Sequence, residues 1–151
     1  MLRAALLRVR SGVVLGRSVR VERGVRVEVE RGARLEVGDG CVLGADSRLV
    51  VRGGVLRLGR NVRVGDGCRL VVHAGATLGD GCVLGPQAAV IDAAPAFEDV
   101  EAPIRQQPLV TAPVAIGAGV ILEPGAVVLA GAVVPDGAVL TARSVTSTRA
   151  G

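Results

Sequence analysis

Five consecutive blocks of six residues near the end of the chain decide the fold. They read Ile116-Gly-Ala-Gly-Val-Ile, Leu122-Glu-Pro-Gly-Ala-Val, Val128-Leu-Ala-Gly-Ala-Val, Val134-Pro-Asp-Gly-Ala-Val and Leu140-Thr-Ala-Arg-Ser-Val. The first position is a large aliphatic residue, the fourth is glycine in four of the five blocks, and the fifth is small or β-branched. An amphipathic helix would repeat its apolar residues at i, i+3, i+4 and i+7 instead. The pattern therefore predicts short strands joined by tight turns.

The same template recurs earlier in the chain with small insertions, and its spacing predicts the architecture. Comparable positions at Leu15, Val37, Leu58 and Leu78 are separated by 22, 21 and 20 residues. Each interval fits one coil of three flat strands, in which the first position fills a narrow interior and the fifth lies where three faces converge. We expect an all-β triangular solenoid, a parallel β-helix of about six coils over residues 13–151, with an N-terminal cap over residues 1–12.

The composition favours thin repeated layers over one thick core. The chain of 151 residues is 50% hydrophobic and has 22 Gly, one Phe and no Tyr or Trp. This apolar content excludes disorder, and a core without rings suits a narrow interior. Cys41, Cys68 and Cys82 take the small fifth position and match no metal or redox spacing. They predict buried, reduced thiols in a cytoplasmic protein, and no transmembrane segment is expected because no long apolar run occurs.

The charge of the chain is unevenly distributed. All 18 basic residues are Arg, and the formal net charge of +4 combines an excess of basic residues in 1–69 with an excess of acidic residues in 70–151. Six arginines take the outward sixth position of their blocks: Arg20, Arg26, Arg34, Arg48, Arg63 and Arg69. We expect a solvated Arg-rich face. Nucleic acid is not an expected partner, because the basic half has no aromatic side chain on which bases could stack.

The template fails between Val90 and Val114, which predicts a long excursion loop over residues 92–113. This segment is rich in proline and contains the only Phe of the chain, Phe97. Long loops that leave a regular scaffold often carry function. We expect a functional loop in which Phe97, Ile104 and Leu109 serve as apolar anchors.

With these blocks, the chain resembles the hexapeptide-repeat acyltransferases. The resemblance rests on the run from Pro113-Val-Ala-Ile-Gly to Leu140-Thr-Ala-Arg-Ser-Val, and on Asp92, Phe97-Glu-Asp and Pro103-Ile-Arg-Gln-Gln in the excursion. It implies a left-handed β-helix and a homotrimer, and no metal is expected because the chain has a single histidine. It also implies an acetyl-CoA-dependent O-acetyltransferase that modifies a hydroxyl group of a sugar or glycan precursor, in polysaccharide or surface-glycan biosynthesis.

The sequence departs from this family where its general base is usually found. Members of the sugar-acetylating branch carry a histidine just before the Phe, and here the corresponding stretch is Asp92-Ala-Ala-Pro-Ala. The single histidine, His73, lies twenty residues before Ala93, and therefore one coil below it. We interpret His73 either as the catalytic base or a substrate-binding residue, oriented by Asp92 or Asp99, or as a corner histidine with no partner. One histidine is too few for the zinc site of the β-helical carbonic anhydrases.

The resemblance also implies an acyl-CoA groove along the C-terminal coils. It assigns Gly125, Ala130 and Gly131 to the lining of that groove, and Arg143 to the phosphate groups of the nucleotide. The missing loop histidine leaves an alternative open, in which the chain is a catalytically impaired β-helix that serves as a ligand-binding or assembly module.

Overall fold

Short strands in which buried and exposed side chains alternate build the structure. In the first strand, Val13 and Leu15 are buried while Val14 between them is exposed. Such a strand is half-buried, so it is stable only when its apolar side faces other strands. The computed structural model describes residues 11–95 and 109–148, and within them eighteen strands form three parallel sheets around one interior.

The three sheets are the faces of a triangular solenoid, with six strands in each face and therefore six coils. Face A stacks β1 (Val13–Leu15), β4 (Arg34–Val37), β7 (Val55–Leu58), β10 (Ala76–Leu78), β15 (Val114–Ile116) and β18 (Val133–Val134). Face B stacks β2 (Arg20–Val21), β5 (Val42–Leu43), β8 (Arg63–Val64), β11 (Val83–Leu84), β16 (Ile121–Leu122) and β19 (Val139–Leu140). Face C stacks β3 (Arg26–Val29), β6 (Arg48–Val51), β9 (Arg69–Val72), β12 (Ala89–Ile91), β17 (Val127–Val128) and β20 (Val145–Thr146). The predicted all-β parallel solenoid of about six coils is confirmed.

The interior is filled as the template predicts. Large aliphatic side chains at the first position, such as Leu43 and Leu70, are fully buried, and the small fifth position is buried beside them. Cys41, Cys68 and Cys82 are free and buried. Burial raises the pKa of the Cys68 thiol to about 11. The expectation of buried thiols is confirmed, and at neutral pH these residues are small apolar side chains of the core.

The corners between faces B and C show why glycine recurs there. Gly67 has a φ of +70° and Gly125 has a φ of +76°, a region in which a Cβ is unfavourable. Arg143, one coil after Gly125, packs its side chain over that glycine, and a Cβ at position 125 would lie 3.3 Å from Arg143 Cγ. Glycine thus permits the turn and also makes room for a side chain from the next coil.

The excursion leaves the solenoid between face C and face A, at the edge that we call the CA edge. Its described ends pair as an antiparallel ribbon of β13 (Ala93–Pro95) and β14 (Leu109–Thr111). Leu109, expected to be an apolar anchor, is 65% exposed, because β14 pairs with β13 and with no strand of the three faces. Phe97, Ile104 and residues 1–10 of the predicted cap lie outside the described residues.

The outward arginines at the sixth position of their blocks are all exposed, as predicted. Two of them form ion pairs with glutamates: Arg48 lies 3.5 Å from Glu28 of the neighbouring coil, and Arg34 lies 2.6 Å from Glu36 of its own strand. Within residues 11–95 and 109–148, no helix is long and apolar enough to cross a membrane.

Candidate active site

Asp92 occupies a position that the repeat reserves for an interior aliphatic residue. Val29, Val51 and Val72 lie in register on successive strands of face C. The pairing of β9 with β12 ends at Val71 and Ile91, and one further residue in the same register brings Asp92 opposite Val72. Asp92 is fully buried. A carboxylate in an apolar interior is unfavourable unless hydrogen bonds satisfy it, so its partners define the site.

Both oxygens of the Asp92 carboxylate are hydrogen-bonded to the corner of the coil below. Oδ1 accepts the backbone N–H of His73 at 2.7 Å, and Oδ2 accepts the N–H groups of Ala74 at 2.6 Å and Gly75 at 2.8 Å. Three consecutive amides therefore point at one side chain. The carboxylate fixes the conformation of the corner at residues 73–75.

His73 adds its imidazole ring to this cluster. Its Nδ1 lies 3.3 Å from Asp92 Oδ1, and its side chain is 28% exposed while that of Asp92 is 0% exposed. Because a carboxylate only accepts hydrogen bonds, this contact suits the neutral imidazole tautomer that carries its proton on Nδ1 and its lone pair on Nε2. His73 therefore has a partner, and the interpretation of it as a corner histidine without one is wrong.

In the coil below the site, the corner consists of two glycines, Gly53 and Gly54, because the corner at residues 73–75 lies directly against it. A Cβ at Gly53 would lie 2.6 Å from the carbonyl oxygen of His73, and one at Gly54 would overlap the carbonyl oxygen of Ala74. Gly54 also has a φ of +65°. Any side chain here would push the corner at residues 73–75 away from its observed position.

A ladder of backbone hydrogen bonds connects Asp92 to the end of the excursion and to the next coil. The N–H of Ala112 donates to the carbonyl oxygen of Asp92 at 3.1 Å, and the N–H of Gly131 donates to the carbonyl oxygen of Ala112 at 3.2 Å. The CA edge therefore carries, in order along the solenoid, His73, the root of the excursion, and Ala130 with Gly131. Two of the four predicted acyl-CoA residues thus share an edge with His73 and Asp92.

The other two predicted acyl-CoA residues lie across face C, at its edge with face B. Gly125 and Arg143 are stacked there in successive coils. The N–H groups of Gly125, Gly131 and Arg143 already donate to carbonyl oxygens of the preceding coils, those of Pro86, Ala112 and Pro124. A pantetheine chain would have to use other groups, such as backbone carbonyl oxygens or the exposed Arg143 side chain. The assignment of these four residues stays a prediction.

Sequence reasoning placed His73 next to Asp92, as the structure does, but did not foresee that the amides of Ala74 and Gly75 donate to the carboxylate. The signal that was available is an acidic residue at an interior position of the repeat, which requires donors close by. Asp99, the other candidate partner of His73, lies outside the described residues. Among residues 11–95 and 109–148, no group of three or more His, Cys, Asp or Glu side chains is arranged to hold a metal ion.

The fold defines the class of protein as a β-solenoid whose long loop begins at a buried carboxylate. No protein-family model and no curated protein sequence matches the chain. Among solved structures, it is similar to AntD, an N-acyltransferase from Bacillus cereus. A serine-to-cysteine variant of AntD in complex with dTDP-4-amino-4,6-dideoxyglucose and coenzyme A gives a TM-score of 0.66 at 14% identity, over 95% of this chain and 76% of AntD.

A second AntD structure gives the same result. An aspartate-to-alanine variant in complex with dTDP and coenzyme A has a TM-score of 0.66 at 15% identity, over 95% of this chain and 77% of AntD. The likeness therefore extends over nearly the whole chain, and at this identity it establishes a shared fold.

Proposed function

We propose that the protein is an acyltransferase that moves an acyl group from acyl-CoA to a hydroxyl group of a sugar or glycan precursor, with acetyl-CoA as the donor. The observation that carries the proposal is the contact between His73 Nδ1 and the buried Asp92 carboxylate. A carboxylate that orients an imidazole leaves Nε2 as a positioned proton acceptor. The similarity of the fold to an acyltransferase that binds coenzyme A and a sugar nucleotide supports the same reaction class.

In this mechanism His73 moves the proton and Asp92 holds the ring. The thioester of the donor supplies an activated carbonyl carbon. His73 Nε2 takes the proton of the acceptor hydroxyl as its oxygen bonds to that carbon, and it returns the proton to the sulfur as the carbon–sulfur bond breaks. Asp92 stabilises the imidazolium that exists between the two transfers. The products are the acylated sugar and free CoA, so no other reactant is needed.

The proposal includes assembly as a homotrimer with the acyl-CoA groove along the C-terminal coils. Outward side chains on face B support a contact between copies in that part of the molecule. Val83, Ile121 and Val139 lie in register on β11, β16 and β19, and all three are exposed. An exposed apolar ladder of this kind is typical of a surface that another protein covers.

A second candidate function is a catalytically impaired β-helix that binds a ligand or organises an assembly. One observation favours it: the Asp92 carboxylate accepts three backbone amides besides the imidazole. Those three bonds would stabilise the root of the excursion in a protein that performs no chemistry. The acyltransferase requires the His73 imidazole as a general base, whereas the non-catalytic β-helix does not.

The experiment that separates them measures CoA release from acetyl-CoA with a panel of hydroxyl and amino sugars as acceptors. We expect His73→Ala to lower the rate by about 10²–10⁴-fold, the usual cost of losing a general base. Thr77→Ala is the matched control, because Thr77 is exposed on β10, close to His73 in sequence. Both variants should keep the wild-type melting temperature and sedimentation coefficient.

Three results would count against the proposal. Unchanged turnover in His73→Ala would remove His73 from the mechanism. A rate that is measurable with amino sugars alone would make the protein an N-acyltransferase. Absence of CoA release and of CoA binding by a correctly assembled protein would favour the scaffold.

A further inference from the structure

Three arginines form a straight ladder on the outer surface of face C. Arg26, Arg48 and Arg69 begin β3, β6 and β9, and they lie directly opposite one another in the parallel register. All three are exposed. Successive coils are separated by about 4.8 Å, the spacing of neighbouring strands. Three positive charges therefore follow the solenoid axis in a line that is one side chain wide.

The ladder is poorly neutralised by the rest of the molecule. Glu28 approaches Arg48 at 3.5 Å, with both side chains about half exposed. Among the described residues, Arg26 and Arg69 take part in no ion pair shorter than 4.0 Å. Like charges that lie directly opposite on neighbouring strands destabilise a sheet. The stability of the fold therefore gives no reason for this arrangement.

Face A of the same coils shows how the molecule neutralises arginines elsewhere. Glu36 lies between two of them, with Oε2 at 2.6 Å from Arg34 Nε and Oε1 at 2.8 Å from Arg57 Nε. The two arginines lower the pKa of the Glu36 carboxyl group. Exposed arginines thus share a glutamate on face A, whereas Arg26 and Arg69 on face C have no ion-pair partner among the described residues.

We propose that the arginine ladder of face C binds an acidic glycan chain that lies along the solenoid axis. An evenly spaced line of guanidinium groups fits a polymer that repeats a carboxylate, sulfate or phosphate group along its length. A membrane would need a broader basic surface. A single-stranded nucleic acid would need aromatic side chains for its bases, and residues 11–95 contain no Phe, Tyr or Trp.

The ladder also lies close to the candidate active site. Arg69 begins the strand β9 that leads directly into His73, so the two residues are separated by about 13 Å along the strand. A glycan held by Arg69 would have neighbouring sugar units within reach of His73. This part of the inference rests on the proposed function, because it identifies the bound chain with the acceptor. Binding to the ladder is a separate property and can be measured alone.

The test measures binding of a fluorescent galacturonic acid octamer at low salt, with no acyl donor present. The variant Arg26→Gln/Arg69→Gln removes two charges of the ladder. The matched control Arg34→Gln/Arg57→Gln removes two charges from face A and changes the net charge equally. We expect the ladder variant to bind about tenfold more weakly or worse, since two charge-assisted contacts are lost. The control should bind within about threefold of the wild type, and added salt should weaken all binding.

Melting temperatures of the two variants will show whether weaker octamer binding is caused by unfolding. The ladder variant should melt no lower than the wild type, because it relieves repulsion between like charges, whereas the control loses the two pairs of Glu36. Equal weakening in the two variants would overturn the proposal in favour of a net-charge effect. Tighter binding of single-stranded DNA or of phosphatidylserine vesicles than of the octamer would overturn it as well, as would the absence of octamer binding.

The same experiment keeps this inference separate from the proposed function. His73→Ala should bind the octamer as well as the wild type does. Octamer binding without any acyl transfer would leave the ladder as a glycan-binding surface on a non-catalytic scaffold. Acyl transfer to neutral sugars without octamer binding would overturn the ladder proposal and leave the acyltransferase in place.

Discussion

Asp80 and Asp92 both lie at corners and accept hydrogen bonds from backbone N–H groups of the preceding coil, yet Asp80 is exposed and Asp92 is buried. Asp80 is exposed, and its Oδ1 accepts one hydrogen bond, from the amide of Arg60 at 2.8 Å. Asp92 is fully buried and accepts three backbone amides and the imidazole of His73. One hydrogen bond to an aspartate is therefore enough for a regular corner of the solenoid. The additional hydrogen bonds of Asp92 are specific to the CA edge.

The regular arrangement is repeated at other corners. Asp39, Asp66 and Asp136 each accept one amide of the preceding coil, at distances of 2.7 to 2.9 Å, and each is exposed. Water can replace such a bond at little cost, whereas a buried carboxylate that loses its donors keeps the full desolvation penalty. The corner at residues 73–75 should therefore be the most sensitive of the corners to substitution. The following changes test that expectation.

The largest effect is expected from Gly54→Ala, because Gly54 lies under the corner that Asp92 holds. A methyl group there would overlap the carbonyl oxygen of Ala74, and the φ of +65° adds backbone strain. We expect a loss of more than about 2 kcal/mol in the free energy of unfolding, measured in urea, since neither the backbone nor the buried carboxylate can relax freely.

Gly32→Ala is the matched control on the same edge. Gly32 has a φ of +84°, but a Cβ at this position meets nothing within 4 Å. It should cost about 1 kcal/mol, the price of strain alone. Equal losses for the two variants would show that the corner above Gly54 moves aside without cost and is not rigid.

The next effect compares the two aspartates directly through Asp92→Asn and Asp80→Asn. An asparagine at position 92 turns an NH₂ group toward amides that also donate, so at least one buried donor loses its partner. We expect a loss of about 1–3 kcal/mol in the free energy of unfolding for Asp92→Asn. Asp80→Asn keeps an oxygen for Arg60 and should stay within about 0.5 kcal/mol of the wild type.

Enzyme kinetics give Asp92→Asn a second measurement that a purely structural role would not change. If Asp92 positions His73, the variant should lower kcat more than it raises KM. A variant that folds less stably but keeps the wild-type kcat would restrict Asp92 to the structure of the corner. Similar stability losses at positions 80 and 92 would contradict the comparison itself.

The sequence predicts the regular part of the molecule better than the CA edge, for a physical reason. The six-residue period and the small fifth position follow from the narrow interior, so the repeat predicted the coils, the burial of Cys41 and the exposure of Arg48. His73 and Asp92 could be brought together because their spacing equals one coil. The amides of Ala74 and Gly75 could not be predicted, because backbone donors are the same in every sequence and only the corner geometry directs them.

At the end of the excursion, the sequence predicts burial less well than it does in the solenoid. Leu109 was expected to be buried because it is apolar, yet its strand has a single pairing partner in the described residues, and its side chain is exposed. Hydrophobicity alone does not say what covers a side chain. The repeat supplies that information for the solenoid, and a segment that leaves the repeat loses it.

The smallest effect concerns an exposed carboxylate that is held by charges and not by burial. Arg57 and Arg34 lower the pKa of Glu36 below its usual value of 4.5. A carboxyl group whose pKa is lower in the folded state than in the unfolded state stabilises the fold at pH values above its unfolded-state pKa. This stabilisation is lost as the pH falls through its folded-state pKa. Glu36→Gln should therefore reduce the free energy of unfolding at pH 7 by less than about 1 kcal/mol.

The difference between wild type and Glu36→Gln should shrink as the solution is acidified below pH 4.5, and it should also shrink in high salt. Glu28→Gln is the control, because Glu28 meets a single arginine at 3.5 Å and should give a smaller difference at pH 7. A difference for Glu36→Gln that equals the one for Asp92→Asn would mean that exposed charges hold the coils as firmly as the buried corner does. In that case burial would not be what distinguishes Asp92 from the carboxylates on the faces and at the regular corners.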